Sequence, residues 1–327
     1  MDLANRVYPP TRSQHLIHSR VRPMFDALSI RLKIVLLSGL CLLGVVLLIV
    51  GMNIYQTNQN DQLVSASSSN MLTASVQDLL QAKAAGQAVR VQKTFGESLL
   101  VVTALADQIK DMRSMAAKRS LEAGALREEL NQSLKTAFER NSKVLGIWLA
   151  FEPDGLDGKD SEFANDTARQ SNETGRFASY WSRAGGTGIN TIMVEDDMTK
   201  TTLSLSGTPY NSWYTCPRDS KRTCLLDPYA DTVAGKEMLM TTIAVPLLVD
   251  GKSIGVVGVD IALDALQAAS VESQRELFNS AGHMLIVSGS GVLAGYSVDA
   301  SKVGKSISET LGPDGKDVLQ LLAGGAP

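Results

Sequence analysis

Ile34 to Met52 is nineteen residues without a charge, most of them Leu, Val and Ile. At 1.5 Å per residue, such a helix spans about 30 Å, the hydrocarbon thickness of a bilayer. A signal peptide is the competing reading, but its apolar core is usually about 7 to 15 residues and ends near an A-x-A-like site. Here the run follows Lys33 and leads into Asn53-Ile54-Tyr55, so an uncleaved anchor over 34–53 is expected. Arg6, Arg12, Arg20, Arg22, Arg31 and Lys33 precede it, whereas the first charge after it is Asp61. The positive-inside rule then predicts a cytoplasmic tail over 1–33, with everything beyond the span outside: the periplasm, in a bacterium.

The chain has three cysteines. Cys41 falls inside the span. Cys216 and Cys224 bracket the polar loop PRDSKRT and can pair in an oxidising compartment; two free thiols or half a metal site are the other readings. His15, His18 and His283 are the only histidines, and two lie across the expected membrane, so a Cys/His zinc site does not fit. No metal or cofactor is expected. A net charge of -3 offers no dense basic face and argues against nucleic acid as a partner.

No proline interrupts the chain between Pro23 and Pro153. Leu99, Val102, Leu105, Ile109 and Met112 recur at helical spacing and predict a long helix, followed by a second over about 120–140, with bends at Gly86, Gly96 or Gly124. A coiled-coil stalk would need a strict heptad, which does not persist. From Val144 the pattern changes. VLGIWLAF suits a buried strand, EPDGLDGKDSEFAND is loop chemistry, and FASYWSR is a second strand. Asp250-Gly251 between MLMTTIAVPLLV and KSIGVVGVDIAL is a strong hairpin signal. A helix over roughly 264–281 and a further hairpin, HMLIV to VLAGYS, follow. Leu311 to Pro327 reads as the middle of a domain, so a continuation past residue 327 is expected.

Seven Phe, Trp and Tyr residues (Phe177, Tyr180, Trp181, Tyr210, Trp213, Tyr214 and Tyr229) gather between 177 and 229. Asp231 and Asp260 lie in or beside strand patterns. In Ile254–Leu263 the alternation puts Val257, Val259 and Ile261 on a core face and Val256, Gly258 and Asp260 on the other. A carboxylate in so apolar a strand requires a partner. Tyr229 and Asp231 share a face if extended, whereas Trp213 and Tyr214 follow Pro209 in what reads as a turn-rich segment. Rings and carboxylates together are the chemistry of an organic-cation site. A structural Asp bonded to loop amides and ordinary ring packing are the plainer readings. No Ser-His-Asp order, zinc pattern or phosphate loop is convincing, and no enzyme is expected.

WY, then PY-x-D, then GVVGVD resembles the signature of the membrane-distal module of double Cache sensor domains, common in methyl-accepting chemotaxis receptors. The resemblance covers about residues 34–327. It implies an α+β fold: a transmembrane helix, a long stalk helix, then tandem PAS-like antiparallel-sheet modules, the distal one ending at 281 (54–281 with its helix) and the start of a membrane-proximal one at 282–327. It also implies a homodimer in the inner membrane that feeds a CheA/CheW-type array. In amino-acid-sensing members an Arg two positions before the Trp grips the ligand carboxylate; here that position is Asn211, which lacks a charged fork. The ammonium-binding half matches Trp213, Tyr214, Tyr229, Asp231 and Asp260. FEPDGLDGKDSEF and WYTCPRDSKRTCLLDPY, with YWSR, look most like polyamine and histamine chemoreceptors, which adds Trp181 and, as additional candidates, Tyr180, Asp196 or Asp197, and Tyr210. The alternatives are an amino-acid sensor, the input domain of a histidine kinase or cyclic-dinucleotide synthase, or an anchored domain without a small ligand.

Overall fold

The computed structural model describes residues 29–184, 186, 188–204, 206–276 and 282–324. Most of the expected tail (1–28) and the module boundary at 277–281 lie outside the described residues. The chain divides into two units, Met1–Ala82 and Lys83–Pro327. In the first, Ile30 onward is helical and belongs to α1 (Ile30–Arg119). The stretch 34–52 is exposed throughout. Among the described residues, α1 is the one helix long and apolar enough to cross a membrane.

The second unit begins within α1. Val102, Leu105, Ala106 and Ile109 are buried there, whereas Leu99, part of the expected stripe, is exposed. Neither Gly86 nor Gly96 breaks the helix: an isolated glycine costs about 1 kcal/mol against alanine, which neighbouring turns absorb. The helix ends at Ser120 (φ 50°), where Leu121 N–H bonds the Ala116 carbonyl and Ser120 N–H that of Ala117, a Schellman close. α2 (Ala123–Arg140) follows, with Leu126, Leu130, Leu134 and Phe138 buried at helical spacing.

Strands β1 (Gly146–Phe151), β2 (Ala178–Ser182) and β3 (Ile189–Ile192) lead to the short helix α3 (Glu195–Thr199) and to α4 (Ser212–Ser220). β4 (Cys224–Leu225), β5 (Tyr229–Val233), β6 (Lys236–Val249) and β7 (Lys252–Ala262) complete an antiparallel sheet of order β3-β2-β1-β7-β6-β4, with β5 also on β6. The β6–β7 turn has positive φ at both Asp250 (49°) and Gly251 (73°), the primed geometry that matches strand twist.

Both faces of this sheet are buried. Ile147 and Leu149 of β1, Ile243 and Val245 of β6, and Val257 and Val259 of β7 pack against α1 and α2. The opposite face carries Trp148, Ala150, Met240, Ala244 and Val256 beneath α3 and α4. After the sheet come α5 (Leu263–Arg275), a hairpin of β8 (Leu285–Val287) and β9 (Leu293–Tyr296), then α6 (Ile307–Leu311) and α7 (Pro313–Ala323).

Candidate ligand site

Strand alternation sends Asp260 to the sheet face away from α1 and α2, into a cavity of about 270 Å³. Its neighbour across the ladder is β1, where Trp148 pairs with Gly258 and Gly146 with Asp260 itself. The indole of Trp148 fills the space above Gly258 and donates from Nε1 to Asp260 Oδ1 at 3.2 Å. From the other neighbouring strand, the Thr242 hydroxyl donates to the same oxygen at 2.6 Å. Because Thr242 has one proton to give, Tyr229, whose hydroxyl is 2.7 Å from Thr242 Oγ1, is the donor in that pair. The chain therefore runs Tyr229 to Thr242 to Asp260.

Both direct bonds land on Oδ1, which leaves Oδ2 open as an acceptor. The Tyr180 ring crosses Gly146. Its hydroxyl is buried and directed at the Asp260 carboxylate, though too poorly aligned for a well-formed hydrogen bond. Burial pushes the Asp260 carboxyl up to about 6, against the pull of Thr242, Tyr180 and Trp148 and with help from the charge on Asp231. Burial and the Asp260 carboxylate push the Tyr180 phenol far above its usual range, so it stays a donor.

The outer cavity adds two carboxylates. Asp231 sits on the same face of β5 as Tyr229 and accepts from the Tyr210 hydroxyl. Asp197 projects from α3; burial, then the charge of Asp231, raises its carboxyl. Trp213 closes the α4 side, edge-on to Trp148 at 4.9 Å between centroids. Among the described residues lining this cavity there is no Lys, Arg or His. The exposed Lys200 lies over the Tyr210 ring, 4.5 Å from its centroid. Three carboxylates and five aromatic rings thus surround an enclosure sized for a small molecule. A larger cavity of about 730 Å³ lies between α1, α5 and β8, but it is apolar, and among the described residues lining it the one charged side chain is Asp227.

Of the residues singled out in the sequence, Tyr180, Asp197, Tyr210, Trp213, Tyr229, Asp231 and Asp260 meet at this cavity. Three do not. Trp181 alternates with Tyr180 and so faces α2, donating to Asn131 Oδ1 at 2.8 Å and packing near Phe138. Asp196 is exposed on α3. Tyr214 corrects the turn-rich reading of its segment: on a helix it diverges from Trp213 by about 100°, and its hydroxyl goes to Arg176 and Glu152. Asn211 is buried, with Nδ2 on the Met198 carbonyl at 3.0 Å, and Arg218 pairs with Asp219. Neither offers a carboxylate anchor in the cavity. Trp148 was not legible as a site residue: its strand was, but not the register that sets its indole over Gly258. Cys216 and Cys224 form a disulfide that ties α4, and with it Trp213, to β4.

Residues 130–268 match the family described as methyl-accepting chemotaxis protein-like, first PDC sensor domain. The methyl-accepting chemotaxis protein TlpQ of Pseudomonas aeruginosa is 44% identical over 299 residues, covering 91% of this chain. The chain spans 42% of that relative's length. Among solved structures, methyl-accepting chemotaxis protein X is similar with a TM-score of 0.54 at 25% identity, covering 73% of this chain and 82% of that one. The extracellular domain of the histidine kinase mmHK1S-Z3 shares the fold, with a TM-score of 0.56 at 22% identity over 71% of this chain and 74% of that one. The helix-flanked antiparallel sheet, the family match and these relatives agree: residues 130–268 form a PDC/Cache-like sensor domain similar to that of methyl-accepting chemotaxis receptors.

Proposed function

We propose that this chain is the periplasmic input of a chemoreceptor and that its cavity binds a small organic amine. The observation that carries the reading is the cavity's charge: Asp197, Asp231 and Asp260 face it, and no cationic side chain among the described residues lines it. An ammonium group would take Asp260 Oδ2 as its acceptor. Ring faces would contribute about 0.5 to 2 kcal/mol each as water is excluded. An amino acid would bring a carboxylate into a site that is already anionic, which disfavours the amino-acid reading.

In this reading residues 34–53 span the inner membrane with the N-terminus inside, 54–281 form the stalk helix and distal module, and 282–327 open a membrane-proximal module. The receptor works as a homodimer coupled to a CheA/CheW-type array. Ligand binding shifts the state of α1 by no more than its preference between the two states.

The test is a thermal-shift screen of the full chain in detergent, followed by calorimetry, with putrescine, spermidine, histamine and choline beside alanine, histidine and arginine. A ligand at 100 times its dissociation constant adds about 2.7 kcal/mol, a shift of a few degrees. Stabilisation by amines alone supports the proposal. Stabilisation by amino acids, or by nothing in the panel, rejects it.

A further inference from the structure

The wall of the cavity that does not belong to the sheet is built by α3, which carries Asp197, and α4, which carries Trp213. Both helices are short, five and nine residues, and neither is capped by its own N-cap side chain, though Glu173 Oε1 accepts from the Glu195 N–H at 2.7 Å. Their position is therefore set from outside. One buried guanidinium reaches both. Arg176 is 4% exposed. Its NH1 donates to Glu195, the first residue of α3, at 2.5 Å. Its NH2 donates to the Tyr214 hydroxyl on α4, which passes its own proton to Glu152 just beyond β1. Its Nε donates to the Phe151 carbonyl at the end of β1 at 3.0 Å.

The three donors are held in a rigid plane, so the three attachment points have a fixed mutual geometry. Other bonds also hold these helices, among them Asn211 Nδ2 on the Met198 carbonyl at 3.0 Å, but Arg176 reaches α3, α4 and β1 at once. Asn172 Oδ1 accepts from Arg176 N–H at 3.0 Å, and Asn172 Nδ2 reaches Glu195 at 3.2 Å. No atom of this cluster lines the cavity.

We propose that Arg176 is a positioning residue for the ligand cavity: it pins α3 and α4 to the end of β1, and so sets the separation between Asp197 and Trp213 on one wall and Asp260 on the other. Because that separation fixes the length of ligand the cavity accepts, Arg176 governs discrimination by size, not the attraction for positive charge. The inference rests on the amine reading above for its ligand. The geometry of the two helices can be tested without any ligand.

The experiment compares wild type with Arg176→Met, Arg176→Lys and Tyr214→Phe, each as the full chain. Calorimetric titration with straight-chain diamines of two to six carbons gives a length profile. Arg176→Met is expected to weaken the best diamine at least tenfold and to flatten the profile. Arg176→Lys, which keeps one arm, should recover part of it, and Tyr214→Phe should flatten it with a smaller loss. Combining Arg176→Met with Tyr214→Phe should add little, since both break one linkage.

The tryptophan band of the near-ultraviolet circular dichroism of the ligand-free proteins reads the Trp148–Trp213 pair together with Trp181, which lies on the other face of the sheet. It should change in Arg176→Met while the far-ultraviolet spectrum does not. A wild-type near-ultraviolet spectrum in Arg176→Met, or an unchanged length profile, overturns the inference. If wild type binds none of the diamines, the ligand proposal fails, and the spectra still decide the role of Arg176. If Arg176→Met does not fold, Tyr214→Phe, which removes a single hydroxyl, carries the length profile and the tryptophan band, the tyrosine region being altered by the substitution itself.

Discussion

Trp148 and Gly258 face each other across β1 and β7, and a β-carbon on Gly258 would fall 2.2 Å from the Trp148 ring. The glycine is what lets the indole lie flat enough to bring Nε1 within 3.2 Å of Asp260. Gly258→Ala must move the ring, and both neighbouring backbones are held in the ladder. The expected cost is about 1 to 3 kcal/mol of stability from overpacking. Amine affinity should fall as well, because the displaced indole no longer orients the carboxylate. Urea denaturation with a parallel titration separates the two effects; a variant with wild-type stability and affinity would show that the indole is free to move aside.

Asp260 is more useful to a bound cation than to the fold. Its folded-state value near 6 lies above the ordinary 3.8, so between those values the native state holds a proton that the unfolded chain has released. Stability therefore falls as pH rises through this window, by about 3 kcal/mol if the whole rise is counted. Asp260→Asn keeps an oxygen for Thr242 and Trp148 to donate to, and it carries no charge. The ligand-free variant should be more stable than wild type at pH 7.5, with a flatter dependence between pH 4 and 6. In the same protein, amine binding should weaken by roughly 2 kcal/mol or more, about 30-fold. Thermal melts across pH, with and without amine, check both signs; a less stable ligand-free variant at pH 7.5 would contradict the account.

The same carboxyl makes binding pH-dependent in wild type. An ammonium ligand needs Asp260 ionised, so affinity should be level above pH 7 and fall about tenfold per unit once pH drops below about 6. Asp197, also raised by burial and by Asp231, would steepen the loss at lower pH. Isothermal titration in buffers of different ionisation enthalpy should show proton release on binding near pH 6 and almost none at pH 8. Equal proton release at both would place the titrating group elsewhere.

How far the site could be read from sequence depended on periodicity. On β7 the two-residue repeat fixes which side chains share a face, and Asp260 opposes Val257, Val259 and Ile261 as that repeat requires. The same rule, applied to β2, separates Tyr180 from Trp181, so those two adjacent rings cannot both face one cavity. Trp213 and Tyr214 divide for a different reason: their segment is helical despite Pro217, and helical geometry turns one ring toward Trp148 and the other toward Arg176. Trp148 could not be found this way. Its role depends on β1 lying beside β7, a pairing between residues more than a hundred positions apart that no local pattern encodes.

The disulfide between Cys216 and Cys224 lies outside the cavity, yet it should affect binding. It closes a loop with a sequence separation of eight residues, for which chain entropy gives about 2 to 3 kcal/mol of stabilisation. It also ties the middle of α4 to β4 at the sheet edge, while Trp213 near the helix start packs on Trp148. Replacing both cysteines by serine should lower the melting temperature by several degrees and weaken amine binding only a few-fold, since Trp213 keeps its ring contact. Adding reductant to wild type should reproduce both changes and leave the double serine variant unaffected. A double variant that binds amine as wild type does, despite its lower melting temperature, would mean that α4 is held for ligand binding by the Trp148 and Arg176 contacts alone.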